Sequence, residues 1–186
     1  GAAFAQQLQG RQRRPDPHVV GDHPAPVRSV LQRHVEVDPD EDATPGALAE
    51  LGVAVAAHGL WSVYSTPATL YTESGALDAA ALRDTLVEAD ALGARFVKFQ
   101  LGGFAGDAHA ADIIALSRGA RARVVVENGQ LPVGGALAQF RALFAALSGA
   151  GMPDALGMTF DIGNWQWPGE APLACAHALA PHVEYI

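Results

Sequence analysis

The feature that most constrains this chain is a regular alternation of short apolar, β-branched runs with longer stretches of helical periodicity, which begins at Thr44. Such runs predict buried strands, and apolar residues that recur every third or fourth position predict amphipathic helices. The predicted strands lie at 61–65, 95–101, 123–127, 157–161 and 183–186. The predicted helices lie at 45–58, 79–92, 107–120, 134–148 and 170–180. Strands and helices that alternate in this way predict βα units and a parallel sheet with right-handed crossovers.

Two architectures are built from such units, the open doubly wound sheet and the closed (β/α)₈ barrel. The glycine fingerprint of nucleotide-binding sheets is missing, because Gly102, Gly103 and Gly106 follow a strand without the G-x-G-x-x-G spacing. Polar residues instead recur at the carboxyl ends of successive strands, which converge on one mouth in a barrel. The sequence therefore predicts an α/β fold, a (β/α)₈ TIM barrel that is incomplete, with about five recognisable parallel strands.

The first part of the chain differs from the rest. Residues 1–45 hold six of the twelve prolines and the acidic run 36–42, and their periodicity is poor, which is typical of a loop or of disorder. We therefore divide the chain into an irregular, Pro-rich, charged N-terminal segment at 1–45 and a partial TIM-barrel domain at 46–186. Because the sequence opens without a methionine and closes on an apolar, β-branched run at 182–186 that is typical of a strand, we expect it to be part of a larger domain.

Charge and composition limit the classes of binding partner and the cellular location that we expect. The formal net charge is −8, which argues against nucleic-acid binding through a basic face. Cys175 is the single cysteine, so an internal disulfide framework is excluded and a reducing, cytoplasmic location is expected. No apolar run approaches the roughly 20 residues of a membrane span. The expected partner is a small molecule, with no nucleic acid and no membrane, and formation of a homo-oligomer stays open.

Two carboxylates stand out as a candidate metal site. Glu127 ends a very apolar strand, and Asp161 ends the next predicted strand along the chain. Matching ends of neighbouring parallel strands lie about 4.8 Å apart, close enough for two carboxylates to bind one divalent cation. The competing interpretation is that each carboxylate orders its own loop or caps the helix that follows.

Four further residues are candidates for binding substrate. Asn128 and Asn164 offer amide groups for hydroxyls, and Trp165 offers an aromatic face of the kind that packs against sugar carbons. Lys98 is a candidate for holding an anionic group or polarising a carbonyl. Two alternatives stay open, namely that the tryptophan packs in a lid and that the lysine pairs with a neighbouring glutamate.

Several of these stretches are familiar. The segments 92–98, 124–128, 157–164 and 183–186, with Gly169 and Glu170 after the third of them, resemble in order and spacing the sugar phosphate isomerase/epimerase family. This family belongs to the xylose isomerase-like TIM barrels, and the resemblance covers roughly residues 47–186.

The resemblance implies a (β/α)₈ barrel with a bound divalent metal, Mn²⁺ or Mg²⁺ rather than the Zn²⁺ of some relatives. Its ligands would be a Glu on the fifth strand, an Asp on the sixth, a His on the seventh and a Glu on the eighth. Glu127 and Asp161 match the first two, the His would come just after Ile186, and the last Glu would lie beyond the chain. Asn164 stands where relatives often have a His that touches substrate.

Three hypotheses follow for function. The first is a metal-dependent sugar or sugar-phosphate isomerase or epimerase in which Glu127 is both a metal ligand and the catalytic proton-transfer group. The second is an apurinic-site endonuclease-like phosphodiesterase, and the third is an inactive, truncated barrel fragment that pairs through its open edge strands. For the 186-residue chain alone we expect no ordered metal and no isomerase activity, since half of the protein ligands would be missing.

Overall fold

The computed structural model describes residues 34–38 and 43–186. Its strands are β1 His34–Val37, β2 Trp61–Tyr71, β3 Phe96–Gly102, β4 Arg123–Glu127, β5 Gly157–Thr159 and β6 Val183–Tyr185. Its α-helices are α1 Pro45–Ala57, α2 Ala79–Leu92, α3 Ala110–Leu116, α4 Pro132–Gly135, α5 Leu137–Gly149 and α6 Pro172–Leu179. Short 3₁₀ turns lie at Asn164–Gln166 and Ala180–His182. Within this part of the chain, no helix is both long and apolar enough to cross a membrane.

All six strands are parallel and lie in the sheet in chain order, from β1 to β6. At least one α-helix lies between each pair of neighbouring strands, so the sheet and its helices form a half-barrel, which confirms the predicted incomplete TIM barrel. The strand β1 was not among the five predicted, because it is only four residues long and lies in the segment interpreted as irregular. It pairs along its whole length with β2, His34 beside Trp61 and Val37 beside Tyr64.

The predicted starts of α1 and α2 are confirmed. The Thr44 hydroxyl accepts the N–H of Ala47 at 3.2 Å, and the Asp78 carboxylate accepts the N–H of Ala81 at 2.9 Å. Each bond satisfies a donor that the first turn of a helix leaves free. Gly93 ends α2 with φ of 69°, a conformation that glycine adopts without steric cost.

Two elements differ clearly in length from the predictions. The first predicted strand was expected to stop at Ser65, yet β2 runs on to Tyr71, with a shift of register between Ser65 and Thr69 that passes Pro67 outside the ladder. The helix expected at 107–120 is reduced to the two turns of α3. The residue before it, His109, has a φ of 47°, which breaks helical geometry at that point.

The two faces of the sheet are packed differently. Val97, Phe99 and Val126 point toward the helices and belong to the main hydrophobic core. Alternate residues point to the concave face, where Phe96 and Val125 form a second, smaller cluster with Val63. Because side chains alternate along a strand, Lys98 follows Phe96 and Glu127 follows Val125 on this concave face.

Candidate functional site

The polar residues of the site gather at the carboxyl ends of β3, β4 and β5. The sheet register places Gln100 beside Glu127 and Glu127 beside Thr159. These residues come directly above the small apolar cluster of the concave face. The expected convergence of strand ends therefore occurs in the structure, and it puts a carboxylate at the border between an apolar floor and an open rim.

Side chains from the neighbouring strand hold Glu127 on both of its oxygens. Lys98 Nζ donates to Oε1 at 3.1 Å, and Gln100 Nε2 donates to Oε2 at 2.8 Å. The Glu127 side chain is 13% exposed, so both bonds form in a partly desolvated place. Charge-assisted bonds of this kind fix the plane of a carboxylate. The structure thus orients Glu127 before any ligand arrives.

Lys98 also contacts a second carboxylate, that of Glu36 at the end of β1. The lysine residue is only 7% exposed. Burial by itself lowers the pKa of Lys98, but the hydrogen bonds and charges of Glu36 and Glu127 outweigh burial, and the pKa stands above its ordinary value. The alternative of a lysine paired with a glutamate is therefore what the structure contains.

Asp161 is held by main-chain groups instead. Its Oδ1 accepts the N–H of Gly163 at 2.7 Å and that of Asn164 at 3.0 Å, where the 3₁₀ turn begins. The expected loop-ordering role of this carboxylate is thus present in the structure. These two bonds both use Oδ1, and Asp161 also lines a cavity with Glu127.

Asn128 joins the ends of β4 and β5. Its amide donates to the Asp161 carbonyl at 2.9 Å and accepts the Asp161 N–H at 3.0 Å, so it continues the ladder past the last paired residues. The residue has no solvent exposure. The prediction that Asn128 binds substrate is corrected here, because both ends of its amide are occupied by the main chain and protein covers it.

Two cavities open beside Glu127, and this residue lines both. The carboxylate cavity has a volume of about 270 Å³, and its polar lining is His34, Glu36, Glu127, Thr159, Asp161 and Tyr185. The amide cavity has a volume of about 420 Å³, and its polar side chains are Thr69, Gln100, Glu127, Gln130 and Asn164. Glu127 therefore lies between a pocket of negative charge and a pocket of hydrogen-bonding amides.

Asn164 and Trp165 are neighbours in sequence, but only Asn164 lines a cavity. The Asn164 amide donates to the Asn128 carbonyl at 2.9 Å and accepts from Gln130 at 3.1 Å, and the residue lines the amide cavity. A substrate contact of Asn164 stays a prediction. Trp165 is fully buried and packs against Phe140 and Phe160, with ring centroids 5.5 and 5.4 Å apart. The predicted sugar-stacking role of Trp165 is corrected, because the side chain is fully buried and packs against other aromatic rings, so its ring is not available to a ligand.

Sequence reasoning missed Glu36 and Tyr185. Glu36 lies in an acidic run that was interpreted as a loop, although the alternation of His34, Val35, Glu36 and Val37 carries the period of a strand. Burial raises the pKa of Tyr185 to about 12, partly offset by the nearby Thr159 hydroxyl and by the Lys98 charge. Glu36 could have been found from its period of two, but nothing in the sequence alone places Tyr185 beside it.

The residues present fit a divalent metal in chemistry but do not complete its ligand set. The carboxylate cavity is lined by three carboxylates, and oxygen donors of this kind are those that Mg²⁺ and Mn²⁺ prefer. With the Lys98 ammonium, these carboxylates have a formal charge of −2, which a divalent cation balances. Yet within 34–38 and 43–186 no three His, Cys, Asp or Glu side chains lie together closely enough to hold a metal ion.

Comparison with known proteins finds relatives in structure only. No family model matches the sequence, and no curated protein matches it significantly. A xylose isomerase domain protein from Planctomyces limnophilus matches with a TM-score of 0.54 at 16% identity, over 82% of this chain and 63% of that one. An L-ribulose 3-epimerase matches with a TM-score of 0.55 at 16% identity, over 81% of this chain and 56% of that one. The structure named AsfvAP:AG matches with a TM-score of 0.50 at 14% identity, over 82% and 60%.

These matches define the fold of the chain. The chain shares its fold with a xylose isomerase domain protein and an L-ribulose 3-epimerase, in line with the resemblance in sequence. The chain spans between 56% and 63% of the length of the matched structures.

Proposed function

We propose that this chain is the metal- and substrate-binding part of a sugar or sugar-phosphate isomerase or epimerase, which moves a proton on the carbon next to a carbonyl. The observation that carries the proposal is that Glu127 and Asp161, at the ends of adjacent parallel strands, line one cavity. The fold supports it, because proteins named as a xylose isomerase domain protein and an L-ribulose 3-epimerase share it.

Glu127 is the proton-transfer group in this proposal. Lys98 and Gln100 orient its carboxylate, and it lies at the border of both cavities, where a bound substrate would meet it. Glu127 takes the proton from the carbon next to the carbonyl on one face. An isomerase returns that proton to the neighbouring carbon, whereas an epimerase needs a second acid on the opposite face. Both reactions stay open.

The amide cavity provides the contacts for hydroxyl groups. Gln130 and Asn164 already share a hydrogen bond of 3.1 Å across its wall, and Thr69 adds a hydroxyl. Carboxamides donate and accept at once, which suits the hydroxyls of a carbohydrate. We propose that the carbon chain of the sugar lies here and that its carbonyl end reaches Glu127.

Glu127 and Asp161 would hold Mn²⁺ or Mg²⁺. When bound there, the cation polarises the carbonyl and stabilises the negative charge that develops on the substrate oxygens. We propose that the remaining ligands come from barrel units outside the described residues, because two carboxylates are about half of the protein ligands such a site needs. On this proposal, the 186-residue chain alone binds Mn²⁺ too weakly to order it and has no isomerase activity.

The test compares variants of the whole protein in two assays, calorimetric titration with Mn²⁺ and exchange of ketose protons with D₂O followed by NMR. Glu127→Gln and Asp161→Asn are expected to weaken Mn²⁺ binding at least tenfold, about 1.4 kcal/mol or more. Asp84→Asn is the matched control, since it removes one exposed carboxylate on α2. Unchanged Mn²⁺ affinity in both site variants would overturn the proposed metal site.

A further inference from the structure

The amide cavity has an apolar wall as well as a polar one. Leu131 and Val133 line this cavity, and they are 70% and 64% exposed. Single exposed apolar residues are common on protein surfaces, but these two lie close together on a cavity that Glu127 also lines. Their aliphatic surface is therefore available to a molecule that enters the cavity.

Glycines fix the loop that carries these two residues. The N–H of Gly129 donates to the carbonyl of Gly134 at 2.9 Å, which closes the loop. The N–H of Gly134 donates to the side-chain oxygen of Gln139 at 2.7 Å, and the φ of Gly134 is 85°, which glycine adopts without steric cost. A Cβ atom at Gly134 would lie only 3.1 Å from the main-chain nitrogen of Gly102. The loop is thus anchored to α5 and to the end of β3, and it presents its apolar side chains before a ligand binds.

The charges at the amide cavity select against an anion. Glu127 contributes a carboxylate, and no basic side chain lines the cavity within the part of the chain that the structure describes. The Lys98 ammonium contacts the carboxylates of both Glu36 and Glu127, so its charge is already balanced. A phosphate ester carries a charge of about −2 at neutral pH, and a carboxylate repels it in a partly desolvated site.

We propose that the amide cavity selects an uncharged sugar over a sugar phosphate, with Leu131 and Val133 as specificity-determining residues. The proposal rests on the proposed function, since it concerns the same cavity, and it narrows the class of substrate. Hydroxyls on one edge of the sugar bind the carboxamides of Gln130 and Asn164. The C–H groups on its other side pack against the two aliphatic side chains. A phosphate group in the same place would meet a carboxylate and aliphatic carbon.

The experiment is an NMR titration of the 186-residue chain with D-fructose and, separately, with its terminal phosphate ester. EDTA is present, so that no metal takes part. We expect the methyl resonances of Leu131 and Val133 to shift with D-fructose, and the affinity for the phosphate ester to be at least about tenfold lower. Val87 is the matched control, because it is 62% exposed on α2, and its methyl resonances should not shift.

Variants of the apolar wall test the selectivity directly. Leu131→Ser and Val133→Ser should each weaken D-fructose binding by about three- to tenfold, because each removes aliphatic contact area. Val87→Ser should bind D-fructose as the original chain does. Val133→Lys should raise the affinity for the phosphate ester by about tenfold, because its ammonium pairs with the phosphate, whereas Val87→Lys should not. Circular dichroism verifies that each variant is folded.

Three results would overturn the proposal. They are equal affinity for D-fructose and its phosphate ester, no binding of D-fructose at molar concentration, and folded serine variants that bind D-fructose as tightly as the original chain. A gain in Val133→Lys no larger than that in Val87→Lys would contradict the position of Val133 at the ligand. Failure of the proposed function has a different signature, namely Glu127→Gln that still exchanges ketose protons at the original rate in the whole protein, because sugar selection is measured without any reaction.

Discussion

The ends of β4 and β5 carry one acidic residue each, and the protein holds the two in opposite ways. Glu127 is bound by side chains, the ammonium of Lys98 and the amide of Gln100. Asp161 is bound by the main-chain N–H groups of Gly163 and Asn164. The first arrangement determines the charge around a carboxylate, whereas the second determines the path of a loop.

Within one cavity, Glu127 therefore affects the charge at the site, whereas Asp161 affects the conformation of the loop. Replacement of Glu127 changes the charges at the site but leaves the main chain with all of its hydrogen bonds. Replacement at the β5 end disturbs the turn that brings Asn164 to the amide cavity. We therefore expect substitutions at the two ends to affect different measurements.

The largest effect should come from Glu127→Gln in the whole protein. The amide cannot accept a proton from carbon, so exchange of ketose protons with D₂O should fall by about 10²–10⁴-fold. The midpoint of thermal unfolding should change little, because no main-chain group loses a partner. NMR of the ketose in D₂O measures the first quantity and circular dichroism the second. Exchange at the original rate in this variant would remove Glu127 from the reaction.

Asn128→Ala should produce the largest loss of stability at these strand ends. It leaves the Asp161 N–H and carbonyl without the partners that now bind them at 3.0 and 2.9 Å. Buried groups left unpaired cost about 1–3 kcal/mol each, so we expect the free energy of unfolding to fall by about 2–4 kcal/mol. Urea unfolding measures it, with exposed Gln130→Ala as the control. A loss as small as that of the control would contradict the role of Asn128 as a clamp.

Asp161→Asn should have a smaller effect on stability. Asparagine keeps an oxygen that can accept from Gly163 and Asn164, so the turn survives, and the free energy of unfolding should fall by less than about 1 kcal/mol. Asp161→Ala removes the acceptor and should cost about 1–2 kcal/mol, as loss of a helix N-cap does. Urea unfolding of the two variants checks the order. Equal losses would mean that the carboxylate charge, and not the turn, stabilises the β5 end.

The sequence predicted the fold well because periodicity reports which residues are buried in repeated units. Five of the six strands and the caps of α1 and α2 follow from local patterns alone. The strand β1 is harder to predict than the others, since its four residues give only two alternations and a charged run follows them directly. It becomes a strand because β2 offers it an unpaired edge, which is a tertiary cause.

The site was predicted in part for a related reason. Which residues reach the strand ends follows from strand position, so Lys98, Glu127 and Asp161 were found together. What each side chain binds depends on partners distant in sequence, such as Glu36, which lies 62 positions before Lys98. The burial of Trp165 by Phe140 and Phe160 has the same origin, because a loop tryptophan reads the same in sequence whether it covers a core or faces a ligand.

The smallest expected effect is on the ionisation of the tyrosine hydroxyls, which reports the charge on the concave face. The chain has three tyrosines, and the pKa of each is raised by burial. Tyr185 faces the carboxylate cavity, where its pKa of about 12 includes a contribution from the charges of Glu36 and Glu127. The folded state thus holds this proton more tightly than the unfolded state, whose tyrosine pKa is about 10.

The contribution of Tyr185 to the free energy of unfolding should therefore be fully present below pH 10 and be lost as the pH rises through about 12. Absorbance at the phenolate wavelength follows the ionisation directly. At pH 10 the folded chain should show almost no phenolate, while the chain in urea shows its tyrosines half ionised. Tyr185→Phe should remove the first ionisation step, because burial of Tyr64 and Tyr71 raises their pKa values further. Half-developed phenolate absorbance in the folded chain at pH 10 would show that water and mobile ions reach the concave face, and that the charges around Glu127 are screened.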